Sequence, residues 1–208
     1  MTREAVLRNS VALSVACLLL AGCFAWEHDV ARGGYQFERY RVDSDIHIGV
    51  LAEPAEVDGF VCEAGGWAHF NPDWSLRACF LAEPYRMDYF TLPAGAWVQP
   101  RTDRIVVSFE TDTLCQGYIC QGSGGVKGIH STFYPNGCLR SFFPPEAVSV
   151  DGVLCRASLY ANVQLYESGA LKQCTPVTAG EIMGVSYGAG RSLRLDESGR
   201  PVLEAQSG

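Results

Sequence analysis

The sequence repeats itself. LAEPAEVDGF at Leu51–Phe60 returns thirty residues later as LAEPYRMDYF at Leu81–Phe90, and Ala64, Gly65 and Trp67 return as Ala94, Gly95 and Trp97. Self-similarity at such a period marks units that cannot bury an apolar face alone and gain a core by stacking on their neighbours. Anchoring the register on Gly59, Tyr89, Gly117, Gly152 and Gly184 gives spacings of 30, 28, 35 and 32 residues. Five residues after each anchor stands a small pair: Ala64-Gly65, Ala94-Gly95, Gly122-Ser123, Ala157-Ser158 and Ala189-Gly190.

Beyond the small pair each unit carries a short β-type run: Trp67 to Phe70, Ala96 to Val98, Ile129 to Phe133, Ala161 to Leu165 and Ser192 to Leu195. Turn pairs Asn136-Gly137, Ser168-Gly169 and Ser198-Gly199 tolerate positive φ and reverse the chain. Leucine plus a base follows the turn in three units, as Leu76-Arg77, Leu139-Arg140 and Leu171-Lys172. Helix competes poorly, because no window after the N-terminal leader sustains an apolar stripe of helical period and Gly or Pro interrupts nearly every ten residues. The expected fold is all-β, an elongated repeat architecture of about five units of ~31 residues with about three short strands each. Either a β-solenoid or an antiparallel meander satisfies the pattern.

Tyr134 to Arg140 (YPNGCLR) and Tyr166 to Lys172 (YESGALK) resemble bacterial MORN-variant repeats, whose core reads tyrosine, two residues, glycine, then leucine and a base. The resemblance covers about seven residues in each of two units. It implies a β-rich repeat surface suited to interaction and implies no reaction.

The N-terminus carries an address. Arg3 and Arg8 precede an apolar run from Val11 to Leu20 that is too short to span a bilayer, which takes about 20 residues, and fits an export signal. Leu20-Ala21-Gly22-Cys23 resembles the lipobox of bacterial lipoproteins at all four positions. The resemblance implies diacylglycerol on the Cys23 sulfur, cleavage before it, acylation of the new amine, and membrane attachment through that lipid. Phe24 stands where aspartate would favour inner-membrane retention, so the outer membrane is the expected address where the cell has one. The domain plan is a signal peptide at 1–22, lipid anchor and tether at 23–44, and a β-repeat domain at 45–208. Removing Arg3, Glu4 and Arg8 with the signal leaves 14 basic against 22 acidic residues, a net charge of −8. Such a charge argues against nucleic acid as a partner.

An exported chain meets an oxidising compartment, where cysteines pair. Cys62, Cys120 and Cys155 stand three residues after an anchor, whereas Cys79 and Cys174 stand three after the post-turn leucine. The equivalent pairs Cys62–Cys79 and Cys155–Cys174 should therefore bridge strands within a unit, with Cys120–Cys138 as a third bridge and Cys115 left over.

Chemistry-bearing residues are sparse. Alternation from Val42 to Val50 reads as one half-buried strand, on which Asp43, Asp45 and His47 would share a face and could meet one metal ion. Gly122 to Gly128 lacks the spacing and Lys-Ser/Thr ending of a phosphate loop and reads as an insertion. Adjacent His130 and Ser131 should point to opposite faces, and Glu110 with Asp112 would share one. Trp74 occupies the slot of the turn glycines Gly137, Gly169 and Gly199. A large aromatic is expected at that loop tip, where it would meet a protein or glycan partner together with Asp73 and Arg77. Trp67 and Trp97 share a repeat position and should stack in the core. No cofactor is implied. The functional expectation is a lipid-anchored envelope protein with a structural or binding role, the alternative being an envelope hydrolase on glycan or peptide with carboxylates gathered in three dimensions.

Overall fold

The computed structural model describes residues 25–123 and 129–202, and within them every regular element is a strand. The chain divides after Cys79 into two compact units. The first holds β1 (Glu27–Arg32), β2 (Tyr35–Asp43), β3 (Ile46–Leu51), β4 (Ala55–Val57), β5 (Phe60–Cys62), β6 (Trp67–Phe70) and β7 (Leu76–Phe80). Strands β1, β2, β3, β6 and β7 follow one another as an antiparallel sheet, and β4 with β5 forms a separate small hairpin.

The second unit repeats this plan. Satellite hairpins are β8 (Tyr85–Arg86) with β9 (Thr91–Leu92), β12 (Thr113–Cys115) with β13 (Tyr118–Cys120), β16 (Val148–Val150) with β17 (Val153–Cys155), and β20 (Gly180–Ile182) with β21 (Val185–Tyr187). Between them run the main strands β10 (Trp97–Arg101), β11 (Arg104–Ser108), β14 (Ser131–Phe133), β15 (Leu139–Phe142), β18 (Val163–Leu165), β19 (Leu171–Cys174) and β22 (Leu193–Arg194). Each main strand is antiparallel to the next. The architecture is thus the antiparallel meander and not the solenoid. A repeat contains four strands where about three were expected, a satellite hairpin followed by a main hairpin, and the last main hairpin is reduced to β22 and the bridge between Leu195 and Pro201.

The sequence anchors are the satellite tips. Asp58-Gly59, Gln116-Gly117, Asp151-Gly152 and Met183-Gly184 all carry two consecutive positive φ values, as in Asp151 at 48° and Gly152 at 80°. This is the two-residue turn whose twist matches a tight hairpin. The small pairs close the base of the same hairpins. Gly65, Gly95, Ser123 and Gly190 donate their N–H groups to the carbonyls of Leu51, Leu81, Phe109 and Pro176 at 2.7–2.9 Å. The echoed leucines Leu51 and Leu81 are therefore the residues at which the chain leaves a main strand for a satellite.

In the first, third and fourth repeats a latch then joins the tip to the main hairpin that follows it. Asp58 Oδ2 accepts from the Leu76 N–H at 2.7 Å, Gln116 Oε1 from Leu139 at 2.9 Å and Asp151 Oδ2 from Leu171 at 2.7 Å. The recipients are the post-turn leucines. In the fifth repeat the tip residue is Met183, which offers no oxygen acceptor, and Pro201 fills the leucine slot with no N–H to donate. Both ends of the bond are lost together.

Burial follows the pleat. Ala68 and Phe70, Ile105 and Val107, and Val163 and Leu165 turn inward, and Val57, Phe60, Val150 and Val153 of the satellites are buried with them. Residues 27–43, expected within the tether, form β1 and β2. The strand expected from Val42 to Val50 is interrupted by a turn at Ser44-Asp45, with φ of 48° and 73°, because two short polar residues tolerate that conformation and let the chain reverse.

Replacing Asp151 by Ala removes the latch to Leu171 and should cost about 1 kcal/mol, whereas Asp151→Asn keeps an acceptor and should cost less. Equilibrium urea unfolding of the two variants checks the order.

Candidate binding face

The proposed metal ligands do not converge. The turn at Ser44-Asp45 separates β2, which ends at Asp43, from β3, which carries His47. Asp43 pairs with Arg41 at 3.5 Å and accepts from Ser44 Oγ, while His47 Nδ1 lies 2.7 Å from Tyr40 Oη. No group of three or more His, Cys, Asp or Glu side chains among the described residues could hold a metal ion.

Trp74 does take the slot of the turn glycines, with φ of 65°, but it folds inward. Its ring stacks on His47 with centroids 4.0 Å apart and planes 9° from parallel, and it also contacts Phe70, Tyr35, Phe37 and Tyr40. Gly33, at φ +59°, lies under this ring: a Cβ there would meet Trp74 Cδ2 at 2.1 Å. The expected exposure at a loop tip is thus replaced by packing on the β1–β2 hairpin, a segment whose strands the irregular apolar period of residues 24–44 did not announce. Asp73 is consumed locally, accepting from the Ser75 N–H and hydroxyl, and these bonds hold its carboxyl below the usual range. Arg77 is an unpaired bulge residue on β7, since Phe70 faces Leu76 and His69 faces Ala78. Trp67 is 36% exposed and rests against Trp26 and Arg39, so it is not a core residue, whereas Trp97 packs on Phe80 at 4.8 Å.

The bridges Cys62–Cys79 and Cys155–Cys174 are present, each tying a satellite strand to a main strand of the same repeat. Cys120 is not joined to Cys138, and Cys115, Cys120 and Cys138 are free. The third repeat has Phe142 in the slot of Cys79 and Cys174, and Cys115 in the slot of Val57 and Val150. Cys120 consequently meets Cys115 diagonally across its own hairpin. Hydrogen bonding to Cys120, with burial, pushes the Cys115 thiol well above the usual range, and burial followed by the charge of Glu167 raises that of Cys138. Cys23 lies outside the described residues.

The outward face of the second unit carries a concavity that the motifs did not foretell. Across the sheet Val106 pairs with Thr132, Thr132 with Ser141, Ser141 with Gln164 and Gln164 with Gln173. Thr132 Oγ1 and Ser141 Oγ are 2.7 Å apart, so the centre of this polar row is internally satisfied. Around it Arg104, His130, Arg140, Asn162 and Lys172 enclose a volume of about 280 Å³. No carboxylate lines it among the described residues.

Two of these cations are placed by equivalent bulges. Phe133 faces Leu139 while Thr132 faces Ser141, leaving Arg140 unpaired; Leu165 faces Leu171 while Gln164 faces Gln173, leaving Lys172 unpaired. A bulge re-aims the side chain of its extra residue. Arg140 lies over Tyr134 and Lys172 over Tyr166, each 5.3 Å from the ring centroid. The tyrosine hydroxyls donate in turn to the next repeat, Tyr134 to Leu165 O at 3.1 Å and Tyr166 to Leu195 O at 2.8 Å. Tyrosine, leucine and base, the residues that carry the MORN-like resemblance, thus form a stitch between consecutive repeats. At the rim Arg140 donates to the carbonyl and the carboxylate of Asp103, and this bond holds the Asp103 carboxyl below its ordinary range. His130 opens onto the concavity and Ser131 is buried on the other face, as alternation requires. Glu110 and Asp112 lie at a bend, and Asp112 is engaged by the Gly122 N–H at 2.8 Å.

Comparison of the chain with protein-family models, with curated proteins and with solved structures returns no match.

Two outcomes follow from this geometry. With both bridges intact, a thiol reagent should label, among the cysteines of the described residues, Cys138 alone in the folded protein and reach Cys115 and Cys120 only after unfolding, as peptide mass spectrometry would show. Trp74→Gly should destabilise by about 2 kcal/mol through lost ring contacts, although it restores the residue of the equivalent turns. Trp74→Ala should lose about 1 kcal/mol more, since alanine also keeps the unfavourable positive φ. Thermal or urea unfolding separates the two.

Proposed function

We propose that this chain is a lipid-anchored protein of the bacterial cell envelope, a non-enzymatic repeat scaffold that holds another envelope component against its outer sheet face. The observation that carries the binding role is the asymmetry of the repeats. Satellite hairpins bury one face of the main strands, while the other face of the second unit presents a continuous polar row and a cation-rimmed concavity. Glycan hydrolysis ordinarily uses a pair of carboxylates, and the lining offers cations, amides, hydroxyls and His130 with no carboxylate among the described residues.

The address rests on two supports. Leu20-Ala21-Gly22-Cys23 resembles a lipobox behind an export signal, and the intramolecular bridges suit an oxidising compartment outside the cytoplasm. Several acyl chains on Cys23 would anchor the protein firmly, at about 0.8 kcal/mol per buried methylene. With Phe24 next in sequence, the outer membrane is the expected destination in a cell that has one.

Intact mass spectrometry of the protein from its native envelope should show loss of residues 1–22 and acylated Cys23, and Cys23→Ala should accumulate as uncleaved precursor. Photo-cross-linkers at Gln173 on the polar row and at Ser149 on a satellite test the role: adducts should form from the first and not from the second. An unmodified Cys23, or adducts from Ser149 alone, would sink the corresponding half of the reading.

A further inference from the structure

We propose that the concavity on the second unit is a binding site for an acidic, carboxylate-bearing glycan. This deepens the binding role proposed above, but it rests on its own observations and does not depend on the lipid anchor.

Charge is the first of these. On a chain of net charge −7, Arg104, Arg140 and Lys172 converge with His130 around one concavity that no carboxylate lines among the described residues. Asp103 is shared at the rim, 2.9 Å from Arg140 and 3.5 Å from Arg104, and the charges of Glu167 and Glu197 act on Tyr134 beneath Arg140. None of these carboxylates lines the concavity, so the charged groups that face a ligand inside it are cationic. Anionic ligands are favoured there because field lines focus in a cleft.

Preorganisation is the second. Arg140 is held by its bulge, by the Tyr134 ring and by two bonds to Asp103; Lys172 is held by the equivalent bulge and the Tyr166 ring. Each tyrosine is pinned to the next repeat through its hydroxyl. A long basic side chain ordinarily loses rotamer entropy when it grips a ligand, and here much of that ordering is already done. Strands β15 and β19 flank β18, so the two cations project from backbones about 10 Å apart, two strand spacings. That arrangement suits an extended ligand with recurring acidic groups better than a single small anion.

The remaining lining selects among extended acids. Strands β11, β14, β15, β18 and β19 are paired with their neighbours across the concavity, so no free strand edge is offered for a peptide to join by backbone bonding. Asn162 and Gln164 supply amides and Thr132 and Ser141 hydroxyls, groups that match a hydroxyl-rich chain. Arginine reads a carboxylate through paired donors. Sugar hydroxyls on the amides and uronate carboxylates on Arg104, Arg140 and Lys172 use the polar and cationic part of the lining.

The test is calorimetric titration of the purified full-length protein with three probes: a uronic-acid oligosaccharide, the same oligosaccharide with its carboxyls reduced to alcohols, and an oligoglutamate peptide. The uronate should bind, more weakly as salt rises. The reduced sugar and the peptide should each bind at least about tenfold more weakly, the loss expected when charge-assisted bonds are removed or misplaced. Arg140→Gln combined with Lys172→Gln should weaken uronate binding by at least about tenfold, and Arg140→Lys alone, which keeps the charge but loses the paired donors, should weaken it less than the double variant. Thermal unfolding of each variant accompanies the titration, and the comparison of probes needs only the wild-type protein should a variant fail to fold. Absence of uronate binding, equal binding of the reduced sugar, or a peptide that binds as tightly as the uronate would each overturn the assignment. Because no arm of this experiment involves Cys23, failure here leaves the envelope address standing, and failure of the address leaves the glycan site standing.

Discussion

Everything in this molecule depends on covering one face of a narrow antiparallel hairpin. Two short main strands expose an apolar side, Val163 and Leu165 against Leu171 and Cys174 in the fourth repeat, that a lone hairpin cannot shelter from water. The chain solves this locally. A satellite hairpin precedes the main hairpin of a repeat, a backbone bond from the small pair closes its base at Gly65, Gly95, Ser123 and Gly190, and in the first, third and fourth repeats its tip is latched to the backbone N–H of the post-turn leucine. In the fourth repeat the latch joins Asp151 Oδ2 to the N–H of buried Leu171 at 2.7 Å, tying the satellite tip to the main hairpin.

Disulfides reinforce the same joint where the core is thin. Cys62–Cys79 and Cys155–Cys174 span 17 and 19 residues and join satellite to main strand. The third repeat reaches the same cover without a bridge, through Phe142 stacked on Tyr118 with centroids 5.2 Å apart. Covalent and aromatic closure occupy the same slot in different repeats. Substitution of cysteine by phenylalanine at position 142 also explains why Cys120 turns to Cys115 across its own hairpin.

The inner face being used for the core, the outer face carries the polar and charged side chains. Bulges recur at Arg77, Arg140 and Lys172, and each aims a base outward from a position whose neighbour is locked inward. The base then lies on a tyrosine in the third and fourth repeats, and the tyrosine reaches the following repeat. Structural stitching and ligand-ready charge are thus the same residues, which is why the cation-rimmed concavity sits over consecutive repeats that carry the full tyrosine-to-base motif.

The sequence by itself determined the β class, the repeat register and two disulfides, because all of these follow from local rules: turn pairs that tolerate positive φ, period-two alternation and cysteines at equivalent offsets. The slot of Trp74 was legible for the same reason, as the position of a turn glycine. Its direction was not, since it depends on the aromatic cluster of Tyr35, Phe37, Tyr40 and His47 supplied by a hairpin whose own pattern is obscure. The grouping of Asp43, Asp45 and His47 failed at the turn that places Asp43 and His47 on different strands. The concavity could not be read in advance either: Arg104, His130, Arg140, Asn162 and Lys172 share no spacing in the chain, and only the register of five antiparallel strands brings them to one place. Local chemistry fixed what each repeat is, and pairing between repeats decided what they hold in common.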